Sequence, residues 1–139
     1  TEKMLKGETI DIYNYGDMTR DWTHVSDITQ GIIAALDQPA QADPNWTGQA
    51  PKLESSSAPF KVYHLGRGKP VSLMEAVKQL ENALGIEAQK NLMPMQPGDV
   101  KDTFADITAA QEDLGFAPHI DLEEGILDFV RWYRKYKGI

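Results

Sequence analysis

Two short segments carry side chains suited to binding an anionic or hydroxylated ligand. In the first, Arg20 and Asp21 follow a turn and precede an aromatic residue. The guanidinium group of Arg20 has the fork of donors that binds a diphosphate, and Asp21 is suited to hold neighbouring backbone. An exposed ion pair between the two side chains is the competing interpretation, and spacing alone favours it because such pairs are common and weak.

The second segment is MPMQPGDVKDTFAD, residues 93–106. Pro97 fixes one backbone angle and Gly98 permits a turn, which would direct Asp99 inward as an acceptor for two adjacent hydroxyl groups. A plain Pro-Gly turn with a solvated aspartate is the alternative, and the turn chemistry alone favours it.

Other candidate motifs carry less weight. LGRGK, residues 65–69, follows an apolar run but lacks the spacing of either glycine-rich phosphate motif. Tyr133 and Lys137 stand four positions apart, yet they lie in the basic run RWYRKYK near the end of the chain, where packing and helix-end charge explain them. The three histidines are interpreted as turn or packing residues, because none has a carboxylate at helical spacing.

Composition excludes several classes of protein. The net charge of −7 argues against a nucleic-acid partner, and the absence of cysteine excludes disulfides and thiolate metal sites. The histidines lack ligand spacing, so no metal is expected. No apolar run reaches the roughly 20 residues that span a membrane, and TEKMLKGE lacks the apolar core of a signal peptide. We therefore expect a cytoplasmic protein without a membrane partner.

Strand and helix patterns alternate along the chain, which predicts an α/β fold in a single domain over residues 1–139. The predicted strands are ETIDIYNYG, KVYHLG and AQKNLM. The predicted helices are about four: one from Val25 capped by Ser26 or Thr23, one capped by Ser72 with Glu75 and ended by Gly85, one capped by Thr108 with Gln111 and ended by Gly115, and one with Asp121 and Glu124 at its start. Residues 38–60 hold four prolines and no periodicity, and are expected to form a loop-like insertion.

Four segments, taken in order, resemble the C-terminal part of NAD-dependent nucleotide-sugar epimerases of the extended short-chain dehydrogenase family, and most nearly the UDP-glucuronate 4-epimerases. They are YNYGDMTRDWTHVSDITQGI, VYHLGRGKPVSLMEAVKQLENALG, MPMQPGDVKDTFADITAAQEDLGF and LEEGILDFVRWYRKY. The combination of the RDWTHVSD and PMQPGDV motifs is far more specific than either alone. The resemblance covers nearly the whole chain, is weakest at 38–60, and favours the binding interpretations of both segments.

The resemblance implies a role for four residues in substrate binding. Arg20 corresponds to the arginine that the family places against the UDP diphosphate, and Asp99 to the aspartate that receives the ribose hydroxyls. Tyr13 falls where the family lines the uracil pocket. Gln96 stands where galactose epimerases tend to have arginine, a departure that is expected of the glucuronate branch and leaves its contact open.

The family's mechanism implies interconversion of UDP-glucuronate and UDP-galacturonate by oxidation at C4, rotation of the sugar and reduction. NAD, the catalytic Tyr-x-x-x-Lys pair and the Rossmann glycine motif belong to the first half of such enzymes. None of these motifs occurs here, so the chain is expected to be a C-terminal piece, inactive alone, with no catalytic or cofactor-binding residue of its own. The alternatives are a stand-alone nucleotide-sugar binding or regulatory module, a scaffold without ligand, or a related epimerase or dehydratase.

The resemblance also implies a partner. In the family the strand equivalent to KVYHLG joins the sheet of the NAD-binding half, so an isolated chain would expose a sheet edge and the apolar face of the first predicted helix. We therefore expect the chain's own N-terminal half as its natural partner, and a homo-oligomer when the chain is alone.

Overall fold

The computed structural model describes all residues from 1 to 139. It is a mixed α/β fold, as predicted, with five α-helices, one 3₁₀ turn and four short strands. In chain order the elements are α1 (Glu2–Leu5), β1 (Ile10–Ile12), the 3₁₀ turn (Tyr13–Gly16), β2 (Thr19–Arg20), α2 (Val25–Asp37), β3 (Val71–Ser72), α3 (Leu73–Leu84), β4 (Lys90–Leu92), α4 (Thr108–Leu114) and α5 (Leu122–Lys137).

The strands form two small sheets that bring distant segments together. β1 pairs in parallel with β4, with Ile12 opposite Leu92, so the chain leaves both strands at the same end. β2 pairs antiparallel with β3, and Thr19 also bridges to Asp102. As a result, the turn after β1 and the loop after β4 are neighbours.

The start signals of α3 and α5 and the end signal of α3 are confirmed. Ser72 accepts a hydrogen bond from the Glu75 N–H at 3.1 Å, and Asp121 accepts one from the Glu124 N–H at 3.2 Å. α3 ends at Gly85, whose φ of 72° is the left-handed conformation that glycine adopts without strain.

Two predicted caps were wrong. α2 is capped by His24, whose Nδ1 accepts from the Ser26 N–H at 3.2 Å, because Thr23 turns its hydroxyl to the Asp21 carbonyl instead. Thr108 is the first residue of α4 and not its cap; its N–H donates to Asp106 Oδ1 at 3.0 Å.

Two apolar clusters form the core. α3 and α5 pack together around Met4, Leu84, Ala88 and Val130, and Arg134 donates to the Leu84 carbonyl at 3.0 Å. The second cluster contains Ile107, Ala110 and Phe116, with Tyr63, Leu65 and Ala105 packed against it.

The apolar stripe of α2 is largely exposed. Val25, Ile32 and Leu36 are 69%, 58% and 76% accessible, and the buried positions of α2 are Asp27 and Gly31. The apolar side chains of α5 are only partly buried, since Val130 is 5% accessible and Phe129 is 41% accessible. The four predicted helices are present, α1 was not predicted, and the stripe of α2 has no covering surface within this chain.

The predicted strand KVYHLG was wrong for this chain. Only Lys61 forms a bridge, with Ser55, and the Val62 N–H donates to the Glu54 carbonyl. Residues 38–60 contain no helix or ladder, but Asp43 ties them together by accepting from Ser55 Oγ at 2.9 Å and Lys52 Nζ at 3.3 Å.

Candidate functional site

The two segments singled out in the sequence meet in space. Arg20, on β2, places Nη2 2.9 Å from Oδ1 of Asp99, which lies in the loop between β4 and α4. The side chains are 25% and 34% accessible, so the pair lies at the surface but is partly screened from water. Arg20 therefore pairs with Asp99 and not with Asp21, and the interpretation of a local Arg20–Asp21 pair is wrong.

Arg20 holds three successive residues of the loop. Nη1 donates to the carbonyls of Thr19 and Lys101 at 2.8 and 2.9 Å, and Nη2 donates to the Val100 carbonyl at 2.9 Å as well as to Asp99. All terminal N–H groups of Arg20 thus have partners inside the chain, whereas its Nε–H has none.

The loop forms the turn that its sequence predicts. The Asp99 N–H donates to the Gln96 carbonyl at 3.1 Å, and Gly98 has a φ of 84°, a value that side chains other than glycine rarely adopt. Asp99 Oδ1 accepts from its own neighbour, the Val100 N–H, at 2.8 Å, in addition to Arg20. Asp99 Oδ2 makes no hydrogen bond within the chain and remains able to accept from a ligand. The Gln96 side chain is exposed.

Tyr13 opens the 3₁₀ turn beside this loop and is half-buried. The adjoining backbone is joined to the start of the loop, since the Met93 N–H donates to the Ile12 carbonyl and the Tyr15 N–H donates to the Met93 carbonyl, both at 2.9 Å. Asn14 and Tyr15 have φ values of 48° and 53°. Left-handed backbone at two consecutive residues other than glycine is strained and is concentrated at functional sites.

Asp21 accepts backbone hydrogen bonds, as its residue type predicted, but from distant segments. Its carboxylate receives the N–H groups of Arg67 and Gly68, both at 3.0 Å, and of Ala105 at 3.1 Å. The amides of LGRGK thus face a protein carboxylate, which agrees with its rejection as a phosphate-binding loop.

One ion pair and one hydrogen-bonded carboxylate near the loop have shifted pKa values. The hydrogen bond from Lys101 to Asp17, at 2.7 Å, raises the pKa of Lys101. Hydrogen bonds from Thr108 hold the pKa of Asp106 below its ordinary value. The segment that follows Asp99 therefore carries charged groups of both signs.

Sequence reasoning missed two side chains that organise the region. Asp27 is fully buried and accepts from the His119 and Ile120 N–H groups at 3.3 and 3.2 Å, and His119 Nδ1 lies 3.0 Å from it. Thr19 donates from Oγ1 to Asp102 at 2.7 Å. An aspartate within an apolar helical segment was the available signal for Asp27, whereas nothing in the spacing of Thr19 and Asp102 indicated their contact.

The described chain gathers no group of three metal-ligating side chains. None of its helices combines the length and apolar character that crossing a bilayer requires.

Solved structures with the same fold are extended short-chain dehydrogenase/reductase enzymes. UDP-glucuronic acid 4-epimerase from Bacillus cereus, in complex with UDP-glucuronic acid and NAD, matches with a TM-score of 0.72 and 26% identity, over 95% of this chain and 38% of that one. UDP-glucose 4-epimerase from Thermotoga maritima, with UDP-glucose, matches with a TM-score of 0.77 and 27% identity, over 98% of this chain and 38% of that one. The predicted resemblance to the C-terminal portion of such enzymes is confirmed.

Sequence comparison gives the same class. The model of the family described as GDP-mannose 4,6 dehydratase matches residues 2–129, and the chain belongs to this family. UDP-glucuronate 4-epimerase 4 of Arabidopsis thaliana is 40% identical over 140 residues, which cover 98% of this chain and 31% of the relative. Protein CapI of Staphylococcus aureus is 43% identical over 136 residues, which cover 98% of this chain and 41% of the relative. The chain thus spans well under half the length of these relatives.

Proposed function

We propose that this chain is the UDP-sugar-binding part of an NAD-dependent nucleotide-sugar epimerase that interconverts UDP-glucuronate and UDP-galacturonate. The observation that carries the proposal is the contact of Arg20 with Asp99 at 2.9 Å, because it joins the diphosphate-binding and hydroxyl-binding candidates in one partly shielded place. Relatives named as UDP-glucuronate 4-epimerases at 39–40% identity support the choice of sugar.

In this proposal Asp99 receives the ribose hydroxyls through Oδ2, the oxygen that has no partner in the chain. Tyr13 lines the uracil pocket from the 3₁₀ turn, and the exposed amide of Gln96 bonds a ribose or phosphate oxygen. These contacts hold the nucleotide firmly and leave the sugar free to turn, which is the demand that inversion at C4 places on a binding site.

Arg20 faces the diphosphate in this proposal, but its terminal donors are already in use. A phosphate oxygen therefore either binds the free Nε–H or displaces one of the loop carbonyls. The incoming charge favours the exchange, because hydrogen bonds from a guanidinium to an anion are stronger than those to a neutral carbonyl.

The residues of this chain do not fit NAD. Its only glycine-containing candidate for a phosphate-binding loop, LGRGK, directs the N–H groups of Arg67 and Gly68 to Asp21. We propose that NAD is bound by an N-terminal half, that this half covers the apolar stripe of α2, and that the chain alone is inactive. The greater length of the relatives supports this division.

The activity test uses the complete natural polypeptide that carries this chain, supplied with NAD and UDP-glucuronate. We expect UDP-galacturonate to accumulate to an equilibrium mixture, measured by chromatography of the nucleotide sugars. If the polypeptide converted UDP-glucose and not UDP-glucuronate, the proposed substrate would be wrong and the epimerase would act on a different sugar. Failure of the polypeptide to bind UDP would overturn it.

The binding test compares UDP with uridine by calorimetry in the same polypeptide. Arg20→Ala is expected to weaken UDP binding by about 1.5–3 kcal/mol, the range for hydrogen bonds to charged groups. Uridine, which lacks phosphate, is expected to lose less. Arg131→Ala is the matched control, since Arg131 lies on the exposed surface of α5 and pairs only with Asp128. Equal UDP affinity of the Arg20→Ala variant and the parent protein would remove Arg20 from the site.

A further inference from the structure

We propose that Asp21 is a positioning residue of the nucleotide site, which sets ligand affinity by fixing the loop that carries Asp99 without touching the ligand. This inference rests on the function proposed above. It concerns a side chain to which the resemblance assigned no contact with UDP.

Both carboxylate oxygens of Asp21 accept hydrogen bonds from the protein backbone. Oδ1 accepts from the Arg67 N–H, and Oδ2 accepts from the N–H groups of Gly68 and Ala105, all within 3.0–3.1 Å. Asp21, Gly66 and Ala105 form a tightly packed junction, because a Cβ added at Gly66 would lie 2.7 Å from Asp21 Oδ2 and 2.4 Å from Ala105 Cβ. The carboxylate of Asp21 is thus committed to the backbone of two distant segments.

Asp21 is the last of three consecutive residues that form hydrogen bonds to the loop. Thr19 exchanges backbone hydrogen bonds with Lys101 and Thr103, Arg20 holds residues 99–101, and Asp21 holds Ala105. Three consecutive residues thus bind one side of the segment 99–105 in register. Without the hydrogen bond from the Ala105 N–H to Asp21, the segment between Thr103 and the start of α4 would be free to move. The orientation of Asp99 would then be less well defined.

A carboxylate suits this position better than its amide analogue. Asn has one acceptor oxygen, so in Asp21→Asn the amino group would face at least one N–H that the carboxylate accepts, and like donors repel. The side-chain volume is unchanged, which makes Asp21→Asn a test of charge and acceptor capacity and not of packing.

The experiment measures UDP and uridine affinities of Asp21→Asn by calorimetry in the complete natural polypeptide. We expect both affinities to fall by the same factor, about ten-fold, the effect of losing roughly one hydrogen bond to a charged group. If Asp21 instead acted at the phosphates, Asp21→Asn would weaken the binding of UDP more than that of uridine. The KM for the nucleotide sugar should rise by a similar factor with a smaller change in kcat, and hydrogen exchange of the amides at 99–105 should accelerate.

Asp27→Asn is the matched control. Asp27 also accepts backbone N–H groups, at His119 and Ile120, and is more deeply buried, but those residues lie outside the loop. We expect it to lower the melting temperature without changing UDP or uridine affinity. If Asp27→Asn reduced both affinities as much as Asp21→Asn does, the effect would be general destabilisation and the proposal would be overturned.

A second variant disturbs the same junction without altering a charge. Gly66→Ala inserts a methyl group between Asp21 and Ala105, whereas Gly48→Ala adds one where no atom lies within 4 Å. We expect the first to weaken both ligands and the second to leave them unchanged. If the parent protein binds no UDP, the proposed function is contradicted. If the parent protein binds UDP, and both Asp21→Asn and Gly66→Ala bind it with the same affinity, only the role of Asp21 is contradicted.

Discussion

α2 and α3 carry the same kind of apolar repeat but use it differently in this chain. In α3, Ala76, Val77 and Leu84 are 5–8% accessible, and Leu84 packs in one cluster with Val130 of α5. In α2 the stripe residues Val25, Ile32 and Leu36 are 58–76% accessible. The periodicity predicts which face of a helix is to be covered, but not whether the covering surface belongs to the same stretch of sequence.

The largest expected effect comes from the same substitution, leucine to alanine, made once in α3 and once in α2. Leu84→Ala should lower the free energy of unfolding by about 2–5 kcal/mol, because it leaves a cavity in a packed cluster. Leu36→Ala, at an exposed position, should change it by no more than about 0.5 kcal/mol. Urea denaturation of both variants measures the difference. Similar losses would mean that the face of α2 is already buried in the chain as isolated.

The exposed face of α2 should drive self-association of the isolated chain. Phe60 and Val62 are also exposed, at 47% and 41%, and add to the apolar area that the chain presents to solvent. Light scattering should therefore report a mass above that of the monomer, and Ile32→Glu should reduce it. Leu53→Glu is the control, since Leu53 is 90% accessible and lies in the 38–60 insertion. A monodisperse monomer at high concentration would contradict this prediction.

The cap of α3 tests how far local sequence alone stabilises that helix. Ser72→Ala removes the acceptor of the Glu75 N–H and should lower stability by about 1 kcal/mol, whereas Ser72→Asp should preserve it. Thermal denaturation of the two variants gives the answer. Equal losses in both would show that the contribution of Ser72 comes from packing and not from its hydrogen bond.

The smallest expected effect is a pH dependence at the junction of α3 with β4. Glu81 accepts from Lys90 Nζ and from the Ala88 N–H, and the bond from Lys90 is the main cause of its lowered pKa. A pKa depressed by folding contributes stability that is complete above the ordinary value of 4.5 and is lost as pH falls through the folded value.

The stability difference between the parent chain and Glu81→Gln should therefore be constant near neutral pH and shrink below about pH 4.5. Unfolding free energies measured across this range test it, with Glu123→Gln at an exposed position as the control. A difference that grew on acidification would reverse the sign and contradict the assignment.

Sequence patterns predicted the elements that are defined by their own residues. The capped helices α3 and α5 and the turn at Gly98 depend on contacts within a few positions of one another, and the strands β1 and β4 were recognised from their own residues although they pair with each other across about 80 residues. KVYHLG formed no ladder because a strand needs a hydrogen-bonding partner, and within this chain only Lys61 finds one, as a single bridge to Ser55. The cap of α2 was misplaced because His24, Ser26 and Thr23 all offer acceptors, and tertiary contacts decided among them.

The candidate site was likewise predictable in part from the sequence. Residue types and resemblance brought Arg20 and Asp99 to attention, and the structure places them in contact. The saturation of Arg20 by loop carbonyls and the junction at Asp21 depend on distances between segments about 80 residues apart, which no local pattern encodes.

A double-mutant cycle on UDP affinity tests the central claim, that Arg20 and Asp99 serve one nucleotide. In the complete natural polypeptide, Arg20→Ala and Asp99→Ala should each weaken UDP binding by about ten-fold or more. The double variant should lose less than the sum of the two, because side chains 2.9 Å apart are coupled. Parent-like UDP affinity in both single variants would contradict the account.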